Sequence, residues 1–356
     1  MEKILISTGG TGGHVVPAEI IGDHLKDIYE INFSTDLRGS KYLKTSRDKI
    51  KIIDTPKLNL NFLLPIKIMK LFTLILKSIF YLKEKKITKV ISTGGYMSLP
   101  VCIGAKILGL KIFLLEPNLT LGRGNKFFLN FSEKIICYSK EIKNFPKKFI
   151  NKIELTKPLV SKNFYKKNDN DHINKNFCFL IVGGSQGAKI FDYLIKDIII
   201  ELSKKYTISV IQQTNIDNFE NLKKIYNHNN IKNKIFNFEK NFVGLIEESD
   251  LCISRAGATS LAEISIMNKP FVAIPLPTSK DNHQMENAKF YEKAGCCWIL
   301  DQENIQKDRD RLANILSNIL HDKSEYINKK TNLKKLNYQN SWNDVNQKIK
   351  KIINEN

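Results

Sequence analysis

Short runs of β-type apolar residues alternate along this chain with longer stretches whose apolar positions recur every three to four residues. Strand-type runs fall at residues 4–7, 51–53, 90–92, 111–115 and 134–138, and helical periodicity at 17–25, 65–85 and 100–108. Residues 160–176 are polar, rich in Lys and Asn, and aperiodic, which reads as a linker. The alternation then restarts. Strands are expected at 178–182, 207–212, 251–254 and 271–274, and helices at 189–203, 218–226, 260–267 and 282–294. The tail, residues 311–356, reads as helices, with Val345, Ile349, Ile352 and Ile353 at helical spacing. Strands alternating with helices imply βαβ units and parallel sheets, here in two successive α/β domains.

Two glycine clusters sit where a strand hands over to a helix. Gly9-Gly10-Thr11-Gly12-Gly13-His14 follows the first strand, and Gly183-Gly184-Ser185-Gln186-Gly187 follows the strand at 178–182. Such a turn offers bare backbone N–H groups and a helix dipole to a phosphate or other polyanion. A third glycine turn, Gly94-Gly95, follows the run at 90–92. The first cluster is not a dinucleotide fingerprint, because GxGxxG started at Gly10 meets Val15 where the third glycine belongs, and no acidic residue is evident at the end of a second strand. His14 reads either as a local backbone cap or as a general base beside the anion seat. Further on, a turn at 255–260 exposes amides, and Glu263 follows. Its carboxylate suits a ribose diol, or else closes a Ser260–Glu263 capping box. Polar side chains at 281–288 suit hydroxyl recognition or a hydrophilic helix start, and Asn118 suits an amide.

Composition changes this picture little. The 356 residues are 42% hydrophobic and 26% charged, ordinary values for a globular protein. The net charge of +20 reflects either a base-composition bias toward Lys codons or an anionic partner. Its lysines are spread along the chain, without the arginine or aromatic clusters of a base-reading module, so no nucleic-acid partner is expected. None of the six cysteines forms a CxxC pair, and they read as reduced core residues of a cytosolic protein. The DxD triplets at 169–171 and 308–310 follow no strand, so no metal site is expected. No signal peptide is read at the start. The most apolar stretch, 58–82, is interrupted by Lys67, Lys70 and Lys77, so no transmembrane helix is expected. A lysine-flanked apolar helix can instead lie in a head-group plane, with Leu64, Ile68, Phe72, Ile75 and Ile79 as its lipid face, or else be a buried helix with a solvated lysine edge.

Six motifs in order carry a resemblance: GGTGGH at 9–14, GGY at 94–96, EPN at 116–118, GGSQGA at 183–188, SRAGATSLAE at 254–263 and KDNHQMENA at 280–288. Through them the chain resembles the MurG family of inverting glycosyltransferases over nearly its whole length. The resemblance implies a GT-B fold: two Rossmann-like α/β domains with a cleft between them. Residues 1–158 would form the acceptor domain, with a helix at about 339–356 packing back on it, and 159–338 the donor domain. It further implies transfer of N-acetylglucosamine from UDP-N-acetylglucosamine to lipid I, giving lipid II for peptidoglycan, with no cofactor. The related alternatives are a transferase acting on another membrane lipid and a UDP-sugar epimerase. By motif position, His14 would be the base. Thr11, Gly12, Gly13, Asn118, Ser185, Gln186, Glu239, Ala258, Thr259, Glu263 and Gln284 would contact the donor. Gly94, Gly95 and Tyr96 would line the acceptor site. The implied setting is peripheral, on the cytoplasmic face of the bacterial inner membrane, with anionic lipid and cell-wall synthesis proteins as partners. The chain departs from the family at Leu115, where a histidine is usual, at Val160, where an arginine is usual, and at Leu99 and Val101 after the GGY turn.

Overall fold

The structure, a computed structural model, describes residues 1–10, 12–57, 62–166, 175–184, 189–302 and 305–355. The chain divides into two compact units, Met1–Val160 with Ser341–Asn356, and Ser161–Asn340. Unit 1 runs β1 (Lys3–Ser7), α1 (Gly12–Leu25), β2 (Glu30–Thr35), β3 (Ile50–Ile52), α2 (Leu64–Glu84), β4 (Ile87–Ser92), α3 (Leu99–Ile107), β5 (Lys111–Glu116), α4 (Arg123–Phe128), β6 (Lys134–Cys137) and β7 (Ile153–Leu155). Unit 2 runs β8 (Phe177–Val182), α5 (Lys189–Ser203), β9 (Ile208–Gln213), α6 (Ile216–His228), β10 (Lys232–Phe236), α7 (Phe242–Glu248), β11 (Leu251–Ser254), α8 (Ala258–Ile266), β12 (Phe271–Ala273), α9 (His283–Lys293), β13 (Cys297–Ile299), α10 (Ile305–His321) and α11 (Ser324–Leu336). A last helix, α12 (Trp342–Asn354), returns to unit 1.

Among the described residues unit 1 holds a seven-stranded parallel sheet of order β3-β2-β1-β4-β5-β6-β7, and unit 2 a six-stranded parallel sheet of order β10-β9-β8-β11-β12-β13. The expected α/β class with two parallel-sheet domains is borne out. Each sheet is buried on both faces, as parallel strands require. In unit 1, Ile4, Ile6, Phe113 and Leu115 join one core, while Leu5, Ile112 and Leu114 join the other. Strand order reverses between β1 and β4 in unit 1 and between β8 and β11 in unit 2. In open α/β sheets such reversals, at the carboxyl ends of the strands, are where ligands bind. All three glycine turns lie there.

Several expectations need correction. Strand β2 does not stand out in the sequence because Asn32, Ser34 and Thr35 look like loop residues, yet all three are buried. The polar edge strand β10 and the short β7 and β13 are likewise additions to the strands expected from sequence. Helix α1 starts at Gly12, not residue 17; Pro17 lies inside it and costs one backbone hydrogen bond. The linker expected at 160–176 begins with buried residues, since Val160 is 1% and Phe164 4% exposed. Residues 167–174, with the first DxD triplet, lie outside the described residues.

Helix α12 is tied to unit 1 by more than its apolar stripe of Val345, Ile349, Ile352 and Ile353. The buried ammonium of Lys89, on β4, donates to the Ile353 carbonyl (2.6 Å) and to the Tyr29 hydroxyl (3.1 Å). His24, fully buried in α1, stacks on Trp342 with ring centroids 3.8 Å apart. Burial lowers the His24 pKa from 6.5 to about 4.

Candidate functional site

In unit 1 the loops after β1 and β4 are stitched together. The Thr93 hydroxyl donates to that of Thr8 at 2.8 Å, and the Thr93 amide donates to the Ser7 carbonyl. His14 stands in the first turn of α1, half-buried, with Nδ1 2.9 Å from the Thr93 carbonyl. A carbonyl can only accept, so in the neutral ring Nδ1 carries the proton and Nε2 keeps its lone pair. That tautomer fits a base better than a capping side chain. Gly94 and Gly95 have φ of +83° and +81°, and a Cβ on Gly95 would come within 3.8 Å of His14 Cδ2. The glycine turn therefore lets backbone approach the imidazole closely. Tyr96 follows, half-buried, and its hydroxyl donates to the Thr55 carbonyl at 3.5 Å. Gly12 and Gly13 open α1, whereas Thr11 lies outside the described residues.

Two carboxylates organise this end of the sheet. Asp36 directly follows β2, so an acidic residue does end the second strand, contrary to the sequence reading. It is 2% exposed and accepts the amides of Gly10 (3.1 Å) and Gly39 (2.7 Å) and the guanidinium of Arg38. Burial pushes its pKa up, but these donors outweigh that effect and hold it below the usual carboxylate range. It organises the glycine loop rather than awaiting a ribose. Glu116, 2% exposed at the end of β5, accepts from Asn118 Nδ2 (3.1 Å), the Gly122 amide (2.8 Å) and Asn125 Nδ2 (3.0 Å). It holds the half-buried Asn118 in place and commits part of its amide. Glu116 stood in the EPN motif without this role, and nothing in the sequence marked Asp36, whose tie to the Gly10 amide spans 26 residues.

In unit 2, β8 passes into Gly183 and Gly184, the latter at φ +80°, and α5 opens at Lys189. Ser185 and Gln186 lie outside the described residues. The Arg255 amide donates to the Val182 carbonyl (3.3 Å) across the strand-order reversal. Its guanidinium is spent on the Ile274 and Pro275 carbonyls and Gln302, and it stacks 4.8 Å from the Phe191 ring centroid. Helix α8 begins at Ala258 with Gly257 as its N-cap, so Ser260 is already inside the helix and the Ser260–Glu263 capping box does not form. Glu263 sits half-buried in the second turn. Thr259 Oγ1 is buried with no hydrogen-bond partner among the described residues. Gln284, in the first turn of α9, accepts the Leu276 amide through Oε1 (2.9 Å), leaving its amide nitrogen as the donor. The buried Asn287 donates to the Ala256 carbonyl (3.1 Å) and fastens α9 to the α8 turn, a role the sequence did not reveal. Glu239 is half-buried in the loop after β10 and accepts the Asn241 amide at 2.9 Å.

Helix α2 does not expose all five of the residues expected to face lipid. Of the five residues named from sequence, Ile68 and Phe72 are exposed, but Leu64, Ile75 and Ile79 are half-buried. A Cβ on Gly104 of α3 would lie 3.3 Å from Ile79 Cγ1, so Ile79 faces the protein. The outward apolar set is Phe62 (88% exposed), Ile66, Ile68, Met69, Phe72 (60%), Leu76 and Phe80 (71%), flanked by exposed Lys70 and Lys77. No helix among the described residues is long and apolar enough to cross a membrane. Among the described residues no group of three or more His, Cys, Asp or Glu side chains could hold a metal ion.

Comparison with known proteins agrees with this arrangement. Residues 4–137 match the glycosyltransferase family 28 N-terminal domain, and residues 178–346 the glycosyltransferase family 28 C-terminal domain. The UDP-N-acetylglucosamine--N-acetylmuramyl-(pentapeptide) pyrophosphoryl-undecaprenol N-acetylglucosamine transferase of Pelagibacter ubique (strain HTCC1062) is 51% identical over 356 residues, 100% of this chain and 99% of the relative. The protein of that name from Rickettsia canadensis (strain McKiel) is 36% identical over 93% of this chain and 96% of its own. The crystal structure of Acinetobacter baumannii MurG matches with a TM-score of 0.78 at 22% identity, covering 99% of both chains, and so shares the fold.

Proposed function

This chain belongs to glycosyltransferase family 28, and from that premise we propose that it moves N-acetylglucosamine from UDP-N-acetylglucosamine to lipid I, forming lipid II in peptidoglycan synthesis. The observation that carries the reading is the 51% identity, end to end, with a relative bearing that activity in its name. The chemistry available at the two strand-order reversals supports it.

As the glycosidic bond breaks, negative charge gathers on the departing UDP. The main-chain amides after β8, at the start of α5, are suited to receive it. Glu263 accepts from the ribose hydroxyls, and the backbone near Glu239 reads the uracil. Ala258, Thr259, Asn118 and the amide of Gln284 address the sugar. In unit 1, His14 Nε2 removes the proton of the acceptor hydroxyl as that oxygen attacks the anomeric carbon. The Thr93 carbonyl supports the imidazolium that forms, because the Nδ1–H bond to it strengthens as the ring gains charge. One direct displacement inverts the anomeric centre without a carboxylate nucleophile. Gly94, Gly95 and Tyr96 border the acceptor.

The acceptor is held in a membrane by its lipid. The outward face of α2, with Phe62 just before it, suits the cytoplasmic leaflet, with Phe62, Ile66, Met69, Phe72, Leu76 and Phe80 in the acyl boundary and Lys70 and Lys77 among anionic head groups. The protein then acts as a peripheral enzyme. The deciding experiment incubates the purified chain with radiolabelled UDP-N-acetylglucosamine and a short-chain lipid I analogue. Label in the glycolipid product is expected. Release of free sugar only, or epimerised UDP-sugar, would refute the assignment.

A further inference from the structure

The carboxylate of Asp36 binds more than a loop. Oδ1 takes the Gly10 and Gly39 amides, while Oδ2 alone takes both Nε–H (3.1 Å) and one Nη2–H (3.0 Å) of Arg38. The Asp36 side chain is 2% exposed and that of Arg38 is 61% exposed. Neutralising a buried carboxylate needs only the Asp36 edge of the guanidinium. Among the described residues Nη1 and the second Nη2 proton donate to nothing, and they form a planar, outward edge with the geometry that binds paired oxyanion oxygens.

The location matters as much as the charge. Gly39, next to Arg38, lies so close to α1 that a Cβ there would stand 3.3 Å from Val15 Cγ2, and it would also clash with Thr35 Oγ1 at the end of β2. Val15 follows His14. Arg38 and His14 thus flank one tight contact at the carboxyl end of the sheet, and Asp36 links the arginine directly to the glycine loop through the Gly10 amide.

We propose that Arg38 recognises an oxyanion of the acceptor through its outward guanidinium edge, with Asp36 as the positioning residue that locks guanidinium and glycine loop in register. The proposal rests on the reading of unit 1 as the acceptor side. Lipid I carries two sources of such oxygens, its diphosphate and the carboxylates of its peptide.

The test uses the full chain, with Arg38→Gln and Arg38→Lys, in a steady-state transfer assay with a short-chain lipid I analogue. Acceptor KM should rise about tenfold or more for Arg38→Gln, the scale of a lost charge-assisted hydrogen bond, while donor KM stays within twofold. Arg38→Lys keeps the charge but loses the fork, so it should recover part of the loss. Repeating the series with an analogue lacking the peptide separates the sources. A persisting penalty assigns the diphosphate, and a vanished one assigns the peptide carboxylates. An unchanged acceptor KM in Arg38→Gln overturns the proposal, as does an equal rise in both KM values with a lowered Tm, the mark of a purely structural residue. Failure of the unsubstituted chain to transfer any sugar would instead sink the proposed reaction and this inference with it.

Discussion

Replacing Phe72 and Phe80 together by Ser should detach the protein from anionic vesicles without unfolding it. Both rings lie on the outward side of α2, 60% and 71% exposed. Full burial of a Phe side chain is worth about 1.5–3 kcal/mol, so the exposed two-thirds of each ring offers about 1–2 kcal/mol to a lipid boundary. The pair then contributes about 2–4 kcal/mol, a drop of about 30- to 1,000-fold in partition coefficient. The rings are already in water in the free protein, so unfolding stability should change by less than about 0.5 kcal/mol. Co-sedimentation with vesicles containing anionic lipid reads the first quantity, and Tm the second. Ile79→Ser is the contrasting variant. Its side chain packs against α3, so it should lower Tm and leave vesicle binding of the folded fraction near that of the unsubstituted chain. If the double Ser variant sediments like the parent at equal Tm, α2 is not the lipid face.

Three further outcomes follow from the sites. His14→Gln should lower kcat by about 10²- to 10⁴-fold with little change in donor KM, and near-parental turnover would remove it as the base. Glu263→Gln should raise donor KM about tenfold, as expected for a lost hydrogen bond to a charged group, with acceptor KM little changed. His24 should make the fold acid-sensitive. Its folded pKa, about 4, lies below the unfolded 6.5, so the unfolded state takes up the proton first. That stability is complete above pH 6.5 and is lost progressively as pH falls toward 4, about 3 kcal/mol in all at about 1.4 kcal/mol per unit. Urea unfolding across pH 7 to 4 measures it, and His24→Phe should flatten that part of the profile.

What the sequence disclosed was local. A strand run into glycines and then into helical periodicity is a short pattern, and the turns after β1, β4 and β8 were legible from it. The features it concealed depend on partners far along the chain. Strand β2 is polar in composition because its carboxyl end lies beneath loops, not because it is exposed. Asp36 became meaningful only once Gly10, Gly39 and Arg38 were gathered round it. Helix α2 carries apolar residues all round its circumference between its lysines, so periodicity could not say which side faces out. Contact with α3 decides that, and it turns Ile79 inward and leaves Ile75 half-buried. The start of α1 was hidden by Pro17, which reads as a helix opening when its neighbours are unknown.

The return of α12 has a consequence for synthesis. Residues 342–354 reach the Lys89 clamp only after all of unit 2 has been made. On the ribosome the half begun first is therefore the half finished last, and its seven-stranded sheet must wait with one flank uncovered while the continuous half folds. A stall or cleavage near residue 340 would release a chain whose late-made lobe is whole and whose early-made lobe lacks its final helix.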